Sequence, residues 1–409
     1  MVRDYISQRR QTLQALASQI GKTAVIYPAA FVVATGVGTV LLGMVFYANE
    51  VFGAGPGRIG LLYASWSIAY LCGCLLLRPL SGALLPRHSM LLATALMTAT
   101  LAAILAVTTL AWLFVCYALF GLWASLFWSP MMGWLSANVE GKQLSRTMGR
   151  FNLCWGAGTV LSPVLAGMLS EIDPALPIRF GALAYLTATC MILGAVLVLP
   201  NLGSEDNVHS RERRTRSAPG GGSFYRFPAW AGLFVIFCAI GAIMNVFPLS
   251  AQRDLGLTKS TVGVLFLCRA LINVIGLGTM GRTRFWHFRG PLMICSTALF
   301  GAVLLFLISA DTPASTALLL ALTGCLSAQA YASSQFHGVS NSPQRSARMA
   351  IHESLLSAGL MIGAGSGGWL YEYGGRSLVY SVLAGACFLT GVVQAVLVRH
   401  AARLDTVEE

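Results

Sequence analysis

Runs of apolar residues alternate along this chain with short polar breaks, each run near the roughly 20 residues that a helix needs to cross a bilayer. Twelve are read, near 24–48, 58–84, 89–109, 111–137, 149–170, 178–200, 229–251, 260–281, 290–309, 314–337, 349–370 and 377–398. Their apolarity is continuous rather than alternating, which predicts helices and excludes barrel strands. The stretch 201–228, NLGSEDNVHSRERRTRSAPGGGSFYRFP, is polar, arginine-rich and then glycine-rich, and reads as a flexible linker. The expected organisation is a polar segment 1–23, a six-helix bundle 24–200, the linker, a second six-helix bundle 229–398 and a tail 399–409. Arg3, Asp4, Arg9, Arg10 and Lys22 precede a first run too long for a signal-peptide core, so no cleaved leader is expected.

Composition then excludes whole classes of function. The chain is 56% hydrophobic and 10% charged, against about a quarter charged in soluble domains. A soluble enzyme, a disordered tail and a secreted disulfide scaffold are all ruled out. The net charge of +12 would suit a nucleic-acid partner, but its placement decides otherwise. The N-terminus, the alternate loops that follow even-numbered spans, the C-terminus and Arg78 together hold 21 of the 27 basic residues. The opposite loops hold five (Arg58, Arg179, Arg253, Lys259 and Arg376), and Arg269 lies inside a span. The positive-inside rule reads this as two cytoplasmic termini and an even number of spans, in the inner membrane of a cell, with no nucleic-acid partner. All ten cysteines fall in predicted spans without metal-ligand spacing and read as small packing residues. No metal cluster, nucleotide loop or nucleophile–base set is visible, so neither an enzyme, a cofactor nor an ATP-driven pump is expected.

The two sides of the linker resemble each other. Span 2 contains Gly60, Trp66, Tyr70 and Gly73, and span 8 contains Gly263, Arg269, Asn273 and Gly276. An offset of 203 joins both glycine pairs and also joins Gly156 to Gly359 in spans 5 and 11. A six-plus-six layout with a parallel repeat is the arrangement that alternating-access transporters use.

Span 5 carries Gly158, Ser162, Pro163, Ala166 and Gly167, similar to the Gly-x-x-x-Gly-Pro-x-x-Gly-Gly signature of the major facilitator superfamily, with Ser and Ala in place of two glycines. The chain resembles that superfamily over nearly its whole length. Small residues there let helix backbones approach closely, and proline bends the helix. Span 11 has a looser counterpart, Gly363, Gly365, Gly367 and Gly368. The superfamily's loop signature between spans 2 and 3, Gly-x-x-x-Asp-Arg-x-Gly-Arg, is degraded. Gly82 is followed by Pro86 at the aspartate position, Arg87 matches, and Ser89 and Met90 replace the final Gly-Arg. The resemblance implies an all-α membrane protein of twelve helices in two six-helix bundles. It also implies a secondary transporter that works as a monomer in the lipid bilayer, with protons as a candidate coupling ion and antiport as a candidate mode.

Polar residues inside spans need an explanation, because an ionised group at the bilayer centre costs at least about 2.5–3.5 kcal/mol. Arg269 lies about eight residues, roughly 12 Å at 1.5 Å per residue, into span 8. Asn273 follows one turn later on the same face. The pair suits an anionic or carbonyl-bearing solute; the competing reading is a structural arginine bonded to carbonyls or to a neighbouring helix. Arg348, His352 and Glu353 open span 11, and His352 and Glu353 are read with Arg87 as gating residues. The resemblance implies that Glu353 is a latch against the 2–3 loop, where Arg87 or Arg78 would be its partner; a proton-carrying site and a solvated helix end remain the alternatives. Softer candidates for the lining of a cavity are Tyr27, Trp66, Tyr70, Trp128, Ser129, Asn152, Trp155, Asn245, Gln329, Ser333 and Gln335, each equally open to a packing role. Glu50, Arg253 and Asp254 sit near outer ends and read as solvated. No Asp or Glu lies near the centre of a span, so a small cationic drug is a poor fit. The expected function is transport of a small organic, anionic solute; the alternative is a receptor or assembly factor that keeps the fold and moves nothing.

Overall fold

The computed structural model describes residues 2–136, 141–198, 223–340 and 345–405. Residues 201–222 of the expected linker lie outside the described residues, as do the side chains of 1–23, Arg78, Gly82, Ser129, 136–145, 341–347 and 401–409. Among the described residues the structure is helical throughout. The long helices are α1 (Val2–Phe52), α2 (Pro56–Leu76), α3 (Pro86–Ile104), α4 (Leu110–Ser136), α5 (Gly141–Ile172) and α6 (Leu176–Val198). The series continues with α7 (Arg226–Arg253), α8 (Lys259–Arg282), α9 (Gly290–Ile308) and α10 (Pro313–Val339). The last helical stretch, Arg345–Asp405, is broken by non-helical dihedrals at Gly374 and Gly375 into α11 (345–373) and α12 (376–405). A short helix, Arg78–Ala83, joins α2 to α3. Among the described residues, eleven stretches are long and apolar enough to cross a membrane, and the Gly374–Gly375 break divides the last of them in two. The expected polar segment 1–23 is continuous with the first spanning helix, which begins at Val2.

The helix ends follow from local chemistry, and the same chemistry recurs 203 residues later. Gly53 (φ 61°) and Gly256 (φ 62°) stop α1 and α7 in the left-handed region, where a side chain would be strained. The Ala54 N–H then donates back to the Ala48 carbonyl at 3.0 Å, and the Leu257 N–H to the Ala251 carbonyl at 2.9 Å, satisfying orphan carbonyls. Thr258 caps α8 by accepting from the Thr261 N–H, while α2 opens on Pro56 with glycine at its cap and no side-chain acceptor of its own.

Packing reproduces the repeat contact by contact. In the first half α1 packs on α5 and α6, α2 on α4, and α3 on α4 and α6. In the second half α8 packs on α10, while α7 and α9 both pack on the α11–α12 stretch. Gly121 lies under the Trp66 carbonyl, and Gly324 lies under the Arg269 carbonyl. Gly73 meets Leu122 and Ser125, and Gly276 meets Cys325 and Ala328. Each member of these pairs sits 203 residues after its counterpart. The register changes in α5 and α11: Gly158 packs on Phe31 and Thr35, and Gly359 packs on Phe234 and Cys238, an offset of 201. The expected Gly156–Gly359 pairing is therefore corrected to Gly158–Gly359. Gly156 faces Val274 of the other half instead. Each half buries its own aromatic core, with Phe120 edge-on to Tyr185 in one and Phe247 edge-on to Phe266 in the other.

Candidate functional site

The two halves touch mainly through α2 on α11 and α5 on α8. A set of hydrogen bonds and an ion pair join the halves at one end of these helices. That end carries the connections poor in arginine and is called the low-charge end below. There, Lys259 pairs with Glu50 at 2.5 Å and donates to the Ser170 carbonyl at 2.9 Å. The Glu171 carboxylate accepts from the Ser260 N–H at 3.1 Å, and the Glu372 carboxylate accepts from the Gly57 N–H at 2.9 Å. Close helix crossings continue below these contacts. A methyl group on Gly167 would collide with the Lys259 carbonyl and the Gly263 backbone, and one on Gly263 with the Pro163 carbonyl. Gly60 is held against the Ala364 carbonyl, and Gly368 against Pro56 and Gly57.

The small-residue motif of α5 thus divides between two neighbours. Gly158 and Ser162 face α1 within their own half, where Thr39 donates to the Ser162 carbonyl at 3.3 Å. Pro163 and Gly167 face α8 across the halves.

The residues singled out from sequence fall into three groups. Trp66 and Tyr70 stack on α2 at 5.6 Å with their planes 6° apart, and the buried Trp66 Nε1 has no hydrogen-bond partner. By the repeat, Arg269 and Asn273 occupy the positions of Trp66 and Tyr70. Arg269 is half-buried on α8, with its Nε buried and unpartnered. Tyr27, Trp128 and Trp155 are also half-buried; Tyr27 donates to the Thr147 carbonyl at 3.4 Å, and Trp128 sits edge-on to Phe127. Asn152 and Glu353 are exposed and equivalent by the 201 offset. Glu353 lies within electrostatic reach of Tyr70 and Cys74 on α2 and of Tyr331 on α10.

A second group is committed to packing inside one half. Asn273 donates through Nδ2 to the Gly324 carbonyl at 3.1 Å and to the Ser327 hydroxyl at 3.0 Å, fastening α8 to α10. Gln329 accepts from Ser296 at 2.8 Å and donates to Ser333 at 3.0 Å, all three buried between α9 and α10. His352 is fully buried, bonded to the Ser334 hydroxyl at 2.7 Å, with its ring against Tyr331. Asn245 is also fully buried and donates to the Ala364 carbonyl at 3.2 Å, beside the α2–α11 crossing. Apart from this group, Arg87, the expected gate residue, is buried at the start of α3, 3% exposed.

The third group was missed. Glu50, read as solvated, is an ion-pair partner across the halves, and Asp254 accepts from the Tyr371 hydroxyl at 3.1 Å. Glu171, Glu372 and the Gly55-Pro56-Gly57 turn were not singled out, although each acid lies at the end of a helix whose small-residue stripe was read.

Comparison with known proteins places this geometry in a family. The model of the Major Facilitator Superfamily matches residues 26–336 and, separately, 229–408. The quinolone resistance protein NorA of Staphylococcus aureus (strain MRSA252) is 27% identical over 183 residues, 44% of this chain and 46% of that protein. The chain spans about half the length of the curated relatives it matches. The crystal structure of the nucleoside transporter NupG superposes with a TM-score of 0.70 at 16% identity, covering 92% of this chain and 98% of that one. The human organic anion transporter MFSD10 (TETRAN) superposes with a TM-score of 0.61 at 16% identity, covering 92% and 99%. With its apolar helices long enough to span a membrane, a repeat expressed in matching contacts and a family model matched across most of its length, this chain belongs to the major facilitator superfamily.

Proposed function

We propose that the protein is a secondary transporter that carries a small organic, anionic solute across the membrane by rocking its two halves about a site between them. The observation that carries this reading is the distribution of contacts. The halves are bonded to each other at the low-charge end, while Trp66, Tyr70, Glu353 and Tyr331 converge on α2, α10 and α11 away from it. With the positive-inside rule orienting the chain, the low-charge end is the outer one and both termini are cytoplasmic, so the bonds that join the halves there close the outer side. Arg269 is the fixed positive charge of the solute site, because its half-buried guanidinium has no carboxylate partner among the described residues. Its planar fork suits carboxylate or phosphate oxygens. Trp66 and Tyr70 offer a stacking surface for an organic ring. The superfamily relatives, named for quinolone resistance, nucleoside transport and organic anion transport, support a small organic cargo and go no further. Glu353 gates the basic end against α2, with Arg87 behind it on α3; protons are the candidate coupling ion.

The test is uptake and counterflow into proteoliposomes. A thermal-shift screen of aromatic carboxylates, phosphorylated metabolites, neutral nucleosides and organic cations selects the solutes to be assayed. Concentrative or exchange flux of an anion that is lost in Arg269→Ala supports the reading. Specific binding without flux would mean a receptor on a transporter fold, and equal flux of anions and cations would remove Arg269 from the site.

A further inference from the structure

The contacts that close the low-charge end form one device built twice. On α5, Pro163, Gly167 and Glu171 follow at i, i+4 and i+8, on one helical face. On α11, Ala364, Gly368 and Glu372 do the same, each 201 residues later. In both copies the first residue offers its carbonyl to a glycine of the opposite half: Pro163 to Gly263, and Ala364 to Gly60. In both, the second residue is a glycine pressed on the opening turn of the opposing helix: Gly167 on Lys259, and Gly368 on Pro56. In both, the third residue is a glutamate that accepts from a backbone N–H of the second residue of that helix: Ser260 at 3.1 Å and Gly57 at 2.9 Å. Ser260 and Gly57 are themselves 203 apart.

The opening N–H groups of a helix have no intrahelical acceptor, and the helix dipole places partial positive charge there. Lacking an acceptor of its own, α2 begins on Gly55-Pro56-Gly57, and a methyl group at Gly55 or Gly57 would lie 2.6 or 2.9 Å from the Glu372 carboxylate oxygens. The turn is therefore shaped to admit a carboxylate from outside its own half. The α8 copy is reinforced by Lys259, which reciprocates by donating to the Ser170 carbonyl at the end of α5.

We infer that Glu171 and Glu372 are twin latches. Each is a carboxylate cap that one half places on a helix N-terminus of the other, and together they set how much of the protein has its low-charge end closed. Because the two copies are equivalent, each contributes to the same rocking motion from opposite sides of the pseudo-two-fold axis. Opening this end detaches both carboxylates from their N–H groups. Neither residue contacts the solute; they are positioning residues that act through the conformational equilibrium. This inference rests on the alternating-access reading above.

The experiment reads distance rather than transport. Spin labels at Val51 and Ala314, in full-length protein with its native cysteines replaced, report the separation of the halves at this end in lipid nanodiscs. Gly263→Leu, whose side chain has no room against Pro163, marks the open distance. Glu171→Gln and Glu372→Gln are each expected to raise the open-to-closed ratio about threefold, and the double variant about tenfold, the scale of a carboxylate at a helix N-terminus. Hydrogen exchange adds a local readout: Glu372→Gln should speed exchange at the start of α2 only, and Glu171→Gln at the start of α8 only. Unchanged ratios in both single variants, with Gly263→Leu still opening, overturn the latches and leave alternating access standing. A shift in only one variant overturns the twin device. If Gly263→Leu folds and stays closed, the rocking motion itself is wrong.

Discussion

At the scale of single residues, the repeat gives Arg269 a meaning that its position in one helix does not. It occupies in the second half the place that Trp66 occupies in the first, with each carbonyl lying over a glycine of the neighbouring helix. In the proposed mechanism one half thus offers an indole and the other a guanidinium at equivalent positions, which would suit a solute with a ring at one end and an anionic group at the other. Arg269→Ala is expected to weaken solute affinity about 10–100-fold, the scale of a hydrogen bond to a charged group. Arg269→Lys should weaken it less, because charge is kept while the fork geometry is lost. Binding isotherms on purified protein with unchanged thermal stability check both; normal affinity in the alanine variant would sink the assignment. Asn273 behaves oppositely. Its amide is spent on Gly324 and Ser327, so Asn273→Ala should cost about 1–2 kcal/mol of stability and leave solute affinity little changed.

At the scale of helices, α5 carries one motif with two jobs, and substitutions along it should separate them. Gly158 is enclosed by the Phe31 carbonyl and by Ala34 and Thr35 of its own half. Gly158→Val is expected to overpack the α1–α5 crossing, at a cost of about 1–3 kcal/mol, seen as a lower melting temperature with the conformational equilibrium intact. Gly167 lies on α8 of the other half. Gly167→Val should leave each half stable and push the halves apart at the low-charge end, seen as greater reactivity of a cysteine placed at Ser260. If both variants lowered stability alike and neither changed accessibility, the division of the motif would be wrong. The kink between α11 and α12 has a local cause, since Gly375 adopts φ 63°, which only glycine takes without strain.

At the scale of the whole molecule, the halves are bonded at the low-charge end, and the state of the other end is set by Glu353 in the proposed mechanism. Glu353→Gln is expected to remove the charge that draws α11 toward the basic end of α2 and to enlarge the inward-open population. Faster labelling of a cysteine placed at Ser354 would report this; unchanged labelling would count against a gate there. Topology supplies an independent check. With 21 of 27 basic residues on one side, single-cysteine reporters at residue 215 and at the C-terminus should both react only from the cytoplasm. Reaction from opposite faces would overturn the orientation and the naming of the inner and outer gates.

Span number, the six-plus-six division and the class of protein were legible in the chain itself, because bilayer thickness and the cost of unsatisfied backbone groups act on local composition. The repeat was legible at Gly60–Gly263 and Gly73–Gly276, where one register holds across the helices involved. It was misread at Gly156–Gly359, because the register in α5 and α11 differs by two residues and only the contacts of Gly158 and Gly359 reveal it. Burial was not legible for polar residues. Gln329 and Ser333 look like cavity candidates until their bond to each other and that of Gln329 to Ser296 place them inside one half, His352 looks like a gate residue until Ser334 of its own half holds it, and Glu50 looks solvated until Lys259 of the other half meets it. Those outcomes depend on which faces of distant helices meet, and a side chain's partner across a packed interface leaves no trace in its own neighbours along the chain. Local composition therefore determined that this protein spans the membrane and repeats itself. Only the packing of the halves decided which glycines hold a bundle together, which hold two bundles against each other, and which glutamates stand at the seam.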